Sequence, residues 1–358
     1  MPAAAQTSTA APMPAVESIT LADGYRIPRI IRGGWQLSGD HGPVDRERAL
    51  SEMATFCAAG LGTVDGADIY TGVEEIYGEF NARRAAQGLL RLQVHTKFVP
   101  DHGDLARVDA AYVRRIVTRS LQRLRQERLE LVQFHWWDYA VPGMLEAAHA
   151  LDELRQDGLI SNLGGTNFDT PRTLELLDAG VPLVSTQVQY SLLDRRPQFA
   201  LAALCAERSL QMLCYGTLAG GFLTERWLGK DEPLTGLTNR SLIKYKLVID
   251  EFGGWTAFQT LLRALNSIGD RHGGSIATVA TRWVLDQPGV AAAVVGARYA
   301  DRLGETLAVF SIALDAQDLA LLQPVLDAYP GPAGDTYSLE RDKSGRHGRI
   351  MKYDLNKS

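Results

Sequence analysis

Four side chains in the first half of this 358-residue sequence have the types needed to hand a proton to an oxygen: Asp65, Tyr70, Lys97 and His135. A free tyrosine, with a pKa of about 10, is a poor acid at neutral pH. A nearby ammonium favours the phenolate and lowers that value. An aspartate beside the lysine keeps the ammonium charged and oriented, and a histidine within reach can hydrogen-bond a carbonyl oxygen. The set suits proton delivery to an oxygen that gains negative charge. Taken singly, each residue has a structural explanation: a helix cap, a packing ring, a solvated ammonium, a satisfied imidazole. The seven histidines are scattered without paired ligand spacing, so no metal is expected.

The elements that must position these residues follow a regular beat. Short β-rich segments at 29–34, 61–65, 92–97, 129–135, 160–164, 183–187, 211–215 and 290–295 alternate with helical ones at 45–59, 73–87, 109–124, 142–157, 171–179, 197–207, 255–271, 275–286 and 301–309. A hairpin turning on Asp23-Gly24 precedes them, and an extra helix over 316–328 follows. Eight strands alternating with helices predict parallel pairing and a single (β/α)8 TIM barrel of the α/β class over residues 19–330. An open doubly wound sheet is the competitor, and it lacks a G-x-G-x-x-G after an early strand. In a barrel, strand C-terminal ends and the loops beyond them carry the reactive groups. Asp65, Lys97 and His135 close three consecutive strands, and Tyr70 lies in the loop after the first of these. All four therefore share one rim.

Composition narrows the function classes. Lys and Arg number 37 against 42 Asp and Glu, for a formal net charge of −5, which argues against a nucleic-acid partner. No apolar run reaches the ~20 residues a membrane span needs. Cys57, Cys205 and Cys214 form an odd, sparse set without C-x-x-C spacing, which predicts reduced thiols and a cytoplasmic setting. Residues 1–18, rich in Ala, Pro, Ser and Thr and without Lys or Arg, read as a disordered leader rather than a signal peptide. The stretch 220–254 reads as a long irregular insert carrying Arg240, Lys244 and Lys246, a candidate lid. The tail, 331–358, holds Arg341, Lys343, Arg346, Arg349 and Lys352, and charge runs of this kind are usually solvated.

The four residues and their surroundings resemble the catalytic tetrad of the aldo/keto reductase superfamily. The carriers are Asp65-Gly66-Ala67-Asp68-Ile69-Tyr70, the Lys97 strand, Phe134-His135-Trp136, Gly164-Gly165-Thr166-Asn167-Phe168, Gln187-Val188-Gln189-Tyr190-Ser191-Leu192-Leu193, Tyr215-Gly216-Thr217-Leu218 and Val295-Gly296-Ala297-Arg298 with Arg302 beyond. They occur in the family's order from about residue 19 to 326. The resemblance implies hydride transfer between a nicotinamide cofactor and a small-molecule carbonyl, with Tyr70 as general acid, Lys97 and Asp65 tuning it, and His135 placing the carbonyl. It implies that Thr166, Asn167 and Gln187 hold the carboxamide and that Tyr215 stacks on the ring. Gly34, Trp35, Gly216, Leu218 and Gly220 are expected along the dinucleotide, with Gly296, Ala297, Arg298, Arg302, Glu305 and Thr306 at its adenosine end. Arg298 and Arg302 point to NADP(H), because a guanidinium fork matches a 2′-phosphate.

This sequence departs from the family's pattern at several places. Gly66 stands where Thr is common, Thr166 where Ser is usual, Trp137 where Pro often follows, Gly296 where some members carry a phosphate-binding Lys, and Thr306 where Asn is common. Trp35, Phe98, Trp136 and Trp137 are expected to wall a pocket for a bulky or apolar aldehyde or ketone. The same residues allow two other readings. One is a cofactor-loaded redox sensor with little turnover, resembling potassium-channel β subunits. The other is an alcohol or sugar dehydrogenase working in the oxidative direction.

Overall fold

The computed structural model describes residues 14–38, 43–237 and 239–356. Most of the expected leader, residues 1–13, therefore lies outside the described residues. Beyond it, Glu17 forms ion pairs with Arg29 at 3.3 Å and Arg282 at 2.8 Å.

A hairpin comes first, β1 (Ser18–Ala22) antiparallel to β2 (Tyr25–Pro28). Eight parallel strands follow: β3 (Ile30–Gly33), β4 (Thr63–Asp65), β5 (Gln93–Phe98), β6 (Leu129–Phe134), β7 (Ile160–Thr166), β8 (Leu183–Gln189), β9 (Gln211–Tyr215) and β10 (Val290–Gly296). Each pairs with the next, and β10 pairs with both β9 and β3, so the sheet closes. This is the expected (β/α)8 barrel. The helices outside it are α1 (Arg46–Ala58), α2 (Val73–Ala86), α3 (Ala110–Leu124), α4 (Met144–Gln156), α5 (Thr170–Asp178), α6 (Ala200–Arg208), α7 (Arg240–Phe252), α8 (Gly254–His272), α9 (Ile276–Leu285), α10 (Leu303–Ala308), α11 (Ala316–Ala328) and α12 (Ser338–Arg341). Residues with a side-chain oxygen at the helix starts take backbone N–H groups: Asp45, Asp109, Asp169 and Ser275 each cap the N–H three residues on.

Apolar residues on the outer faces of the strands, such as Val94, Phe98, Val132 and Phe134, are buried against the helices. A second apolar cluster closes the barrel's N-terminal end. There Leu21 and Ile27 of the hairpin pack on Ile31, Leu131, Leu213 and Ala292. The Tyr25 hydroxyl lies 3.0 Å from Nε2 of His95 inside the barrel. No single helix among the described residues is long and apolar enough to cross a membrane.

Two expectations need correction. The stretch 220–254 is not irregular throughout, because α7 occupies its second half. Tyr245, Val248, Ile249 and Phe252 recur at helical spacing and are buried, Asn239 caps the start, and Gly253 at φ 127° ends it. The tail is not a solvated excursion either. It runs back across the C-terminal rim of the barrel, and Glu340 is buried against Arg196 at 3.3 Å and Lys244 at 3.7 Å.

Candidate active site

Strand ends bring the proton-transfer set together. Asp65 ends β4, and both its oxygens accept from Lys97 Nζ of β5, at 2.8 and 2.7 Å. The Gly66 carbonyl takes a third ammonium proton at 2.8 Å. Asp65 Oδ1 also accepts from Gln133 Nε2 at 3.1 Å and Gln187 Nε2 at 2.6 Å. Such a buried pair persists only when the remaining lone pairs and protons are also satisfied. Tyr70 stands in the loop beyond β4, its ring centre 5.2 Å from the Lys97 ammonium and 4.9 Å from the ring of Trp35. Enclosure of the phenol, and then the negative charge of Asp65, push its pKa well up. The ammonium does not win here, because Asp65 already neutralises it. Tyr70 therefore stays protonated.

His135 directly follows β6. Its Nδ1 is 2.9 Å from the Thr166 carbonyl, which can only accept, so Nδ1 carries the hydrogen. Burial, then the Arg341 charge, lower its pKa to about 3. The ring is neutral, which makes Nε2 an acceptor, and that atom is buried with no protein partner.

These four residues line one cavity of about 840 Å³ at the C-terminal mouth of the barrel, large by the standard of small-molecule sites. Trp35, Thr166, Asn167, Gln187, Tyr215, Gly216, Leu218, Gly220, Gly296, Arg302, Glu305 and Trp137 line it too. Asn167 adopts a left-handed backbone, φ 59°, and its Oδ1 accepts from the Tyr215 hydroxyl at 2.8 Å. The Thr166 hydroxyl is buried without a protein partner. An orphaned hydroxyl beside an amide and an aromatic face fits a ring bearing a carboxamide, which bears on whether a nicotinamide suits the site.

Other expected residues lie elsewhere. Gly34 is packed behind the wall, where a Cβ would meet Tyr77 Oη at 2.3 Å and the Asp65 carbonyl at 2.5 Å. The guanidinium of Arg298 donates to the Gln36 carbonyl at 2.9 Å, and the Ala297 and Arg298 carbonyls accept from Arg32. The Thr306 hydroxyl is turned to the Arg302 carbonyl. Phe98 and Trp136 are not part of a substrate wall. Strand alternation turns Phe98 outward onto Phe134 and Tyr112, and Trp136 is fully buried against Phe134 with its N–H on the Val141 carbonyl.

The cavity also has walls that the sequence reading missed. Gln36, Tyr337, Ile350, Met351 and Leu355 line it, and Asn239 and Lys244 come from the stretch expected as a lid. The Tyr245-Val248-Ile249-Phe252 spacing could have revealed α7, but nothing local brings residues 337–355 back over the mouth. Away from the cavity, His272, Asp315 and Asp318 are the one grouping of metal-ligating types among the described residues. Arg271 already bonds both aspartates.

Comparison with known proteins identifies the family. The model of the aldo/keto reductase family matches residues 29–327. The aldo-keto reductase YhdN of Bacillus subtilis is 26% identical over 321 residues, covering 87% of this chain and 94% of that one. The NADH-specific methylglyoxal reductase of Escherichia coli is 25% identical, covering 84% of this chain and 95% of the relative. Among solved structures, the glycerol dehydrogenase AKR11B4 from Gluconobacter oxydans superposes with a TM-score of 0.73 at 26% identity, covering 90% of this chain and 97% of the other. With the family model spanning most of the sequence and the closed barrel shared, the chain belongs to the aldo/keto reductase family.

Proposed function

We propose that this protein reduces a bulky, apolar aldehyde or ketone to an alcohol using NADPH, with Tyr70 as general acid. The observation that carries the reading is the Lys97 ammonium, held by Asp65 and Gly66 and set 5.2 Å from the Tyr70 ring at the base of an 840 Å³ cavity. Bound there, the nicotinamide would supply the hydride. Thr166, Asn167 and Gln187 would hold its carboxamide, and Tyr215 would lie against its ring. Arg302, whose side chain is 67% exposed, would meet a 2′-phosphate, and Glu305 the adenine. The capped start of α7, with Asn239, Arg240 and Ser241 in the wall, suits the pyrophosphate, since a helix N-terminus favours negative charge.

Tyr70 keeps its proton across neutral pH and releases it only to a strong base. An alkoxide forming at the carbonyl oxygen is such a base, and the Lys97 ammonium then faces the new phenolate. Neutral His135 offers only a lone pair at Nε2, so in this tautomer it cannot donate to the carbonyl oxygen it was expected to place and suits instead the hydroxyl of the alcohol form. Trp35, Trp137, Tyr337 and Met351 make the substrate end aromatic and apolar. The three cysteines are unpaired, which fits a reducing, cytoplasm-like compartment.

Oxidation of an alcohol uses the same residues in reverse, and the glycerol dehydrogenase neighbour carries that activity in its name. It requires the Tyr70 phenolate as base, which the raised pKa makes scarce at neutral pH. Any oxidative rate should therefore climb with pH, whereas reduction uses the protonated form already present.

The test is a panel of carbonyls assayed by loss of NADPH absorbance. Aromatic aldehydes should outpace small sugars, and NADPH should bind more tightly than NADH. Tyr70→Phe should abolish reduction while leaving NADPH affinity nearly intact. Wild-type turnover in Tyr70→Phe would refute the assignment of the acid.

A further inference from the structure

We propose that Arg341, in the C-terminal tail, is a positioning residue that clamps the two strand ends on which His135 and Asn167 stand. Its Nη1 donates to the carbonyls of Trp136 and Trp137, both at 2.7 Å, and its Nη2 to the carbonyl of Asn167 at 2.8 Å. The first two carbonyls follow His135 at the end of β6. The third belongs to the residue after Thr166, which closes β7 and accepts from His135 Nδ1. One guanidinium thus spans the two chain segments whose separation sets that imidazole contact. It also bonds the backbone of Asn167 in its left-handed conformation, beside the bonds from the Tyr215 hydroxyl and to the Gln187 carbonyl.

The guanidinium is itself held on several sides. Its Cζ lies 3.8 Å from the centre of the Tyr139 ring. The preceding residue, Glu340, is buried between Arg196 and Lys244, so the tail cannot drift from the rim without breaking an internal ion network. Charge-assisted bonds from a planar fork carry more geometric information than those of a lysine. A lysine at this place has one nitrogen to serve three carbonyls on two strands.

The inference rests on the reductase reading above, and the experiment separates the two. Arg341→Ala, Arg341→Lys and, as a control elsewhere in the tail, Arg346→Ala are compared with wild type for kcat, KM and backbone hydrogen exchange. Arg346 pairs with Asp250 on the surface. We expect kcat to fall about 100-fold in Arg341→Ala, the scale of a ~1 Å misplacement of reacting groups. Arg341→Lys should fall part of the way, and Arg346→Ala should match wild type. The substrate KM should move by only a few fold. Added methylguanidinium should restore part of the kcat of Arg341→Ala. The amides of His135 and Asn167, now bonded to the carbonyls of Phe98 and Gln187, should exchange faster in the variant.

A wild-type kcat in Arg341→Ala overturns the proposal. So does a loss of kcat that methylguanidinium leaves untouched while exchange at both amides stays unchanged. If Arg341→Ala fails to fold, Arg341→Lys carries the same readouts. If the wild-type protein turns over no carbonyl at all, the reductase reading fails alone, and unchanged exchange in the variants would still refute the clamp.

Discussion

Lys97 and Asp65 illustrate how a buried charge pair binds stability to chemistry. Their side chains are only 6% and 5% exposed. Removing one partner leaves the other charged and without compensation in the interior, a loss of about 3–5 kcal/mol. Lys97→Met should therefore lower unfolding stability by that amount in urea titrations as well as abolish turnover. His95, inside the barrel and bonded to Tyr25, makes a second prediction at this scale. Burial lowers its pKa to about 4 from an ordinary 6.5. The unfolded chain then binds a proton that the folded chain refuses between those values, so this group's stabilising contribution is full above pH 6.5 and is lost as pH falls toward 4. His95→Gln should flatten the acid side of the stability–pH curve by up to one proton in slope, measured by urea unfolding from pH 7 to 4. The tetrad was legible because three of its members close consecutive strands, and strand alternation turns them all inward. Phe98 misled because the residue after Lys97 must face the opposite way.

At the scale of elements, α7 is the part that changes the picture most. Gly-rich stretches at 216–221 and 253–254 make the whole interval resemble a loop, and only the Tyr245-Val248-Ile249-Phe252 spacing betrays the helix. Its N-terminal turn forms cavity wall while its body is anchored in the core, so motion should concentrate in the exposed segment just before it, around Lys230 and Asp231. Trypsin should cut at Lys230 in the free protein and several-fold more slowly with NADPH bound, followed by gel electrophoresis. Equal rates would separate this segment from the dinucleotide. The tail was illegible for another reason. Its docking depends on Glu340 meeting Arg196 and on Arg341 meeting carbonyls just beyond β6 and β7, pairings more than 140 residues apart that leave no local periodicity. A run of charges looks the same whether it faces water or neutralises a buried partner.

For the whole molecule, the eight-fold strand–helix alternation pointed to a parallel sheet covered by helices, and the missing G-x-G-x-x-G set the closed barrel ahead of an open one. The hairpin turn was also readable, although its position beneath the barrel was not. That position has an energetic signature. Ile27 is 1% exposed within the closing cluster, so Ile27→Ala should destabilise by about 2–5 kcal/mol by chemical denaturation, with little effect on NADPH affinity at the far end. The hairpin also divides the molecule's work by depth. The barrel interior between its two ends is filled by side chains rather than open, so a change at Leu21 or Ile27 can loosen how firmly the fold is held while the chamber at the opposite end keeps its shape.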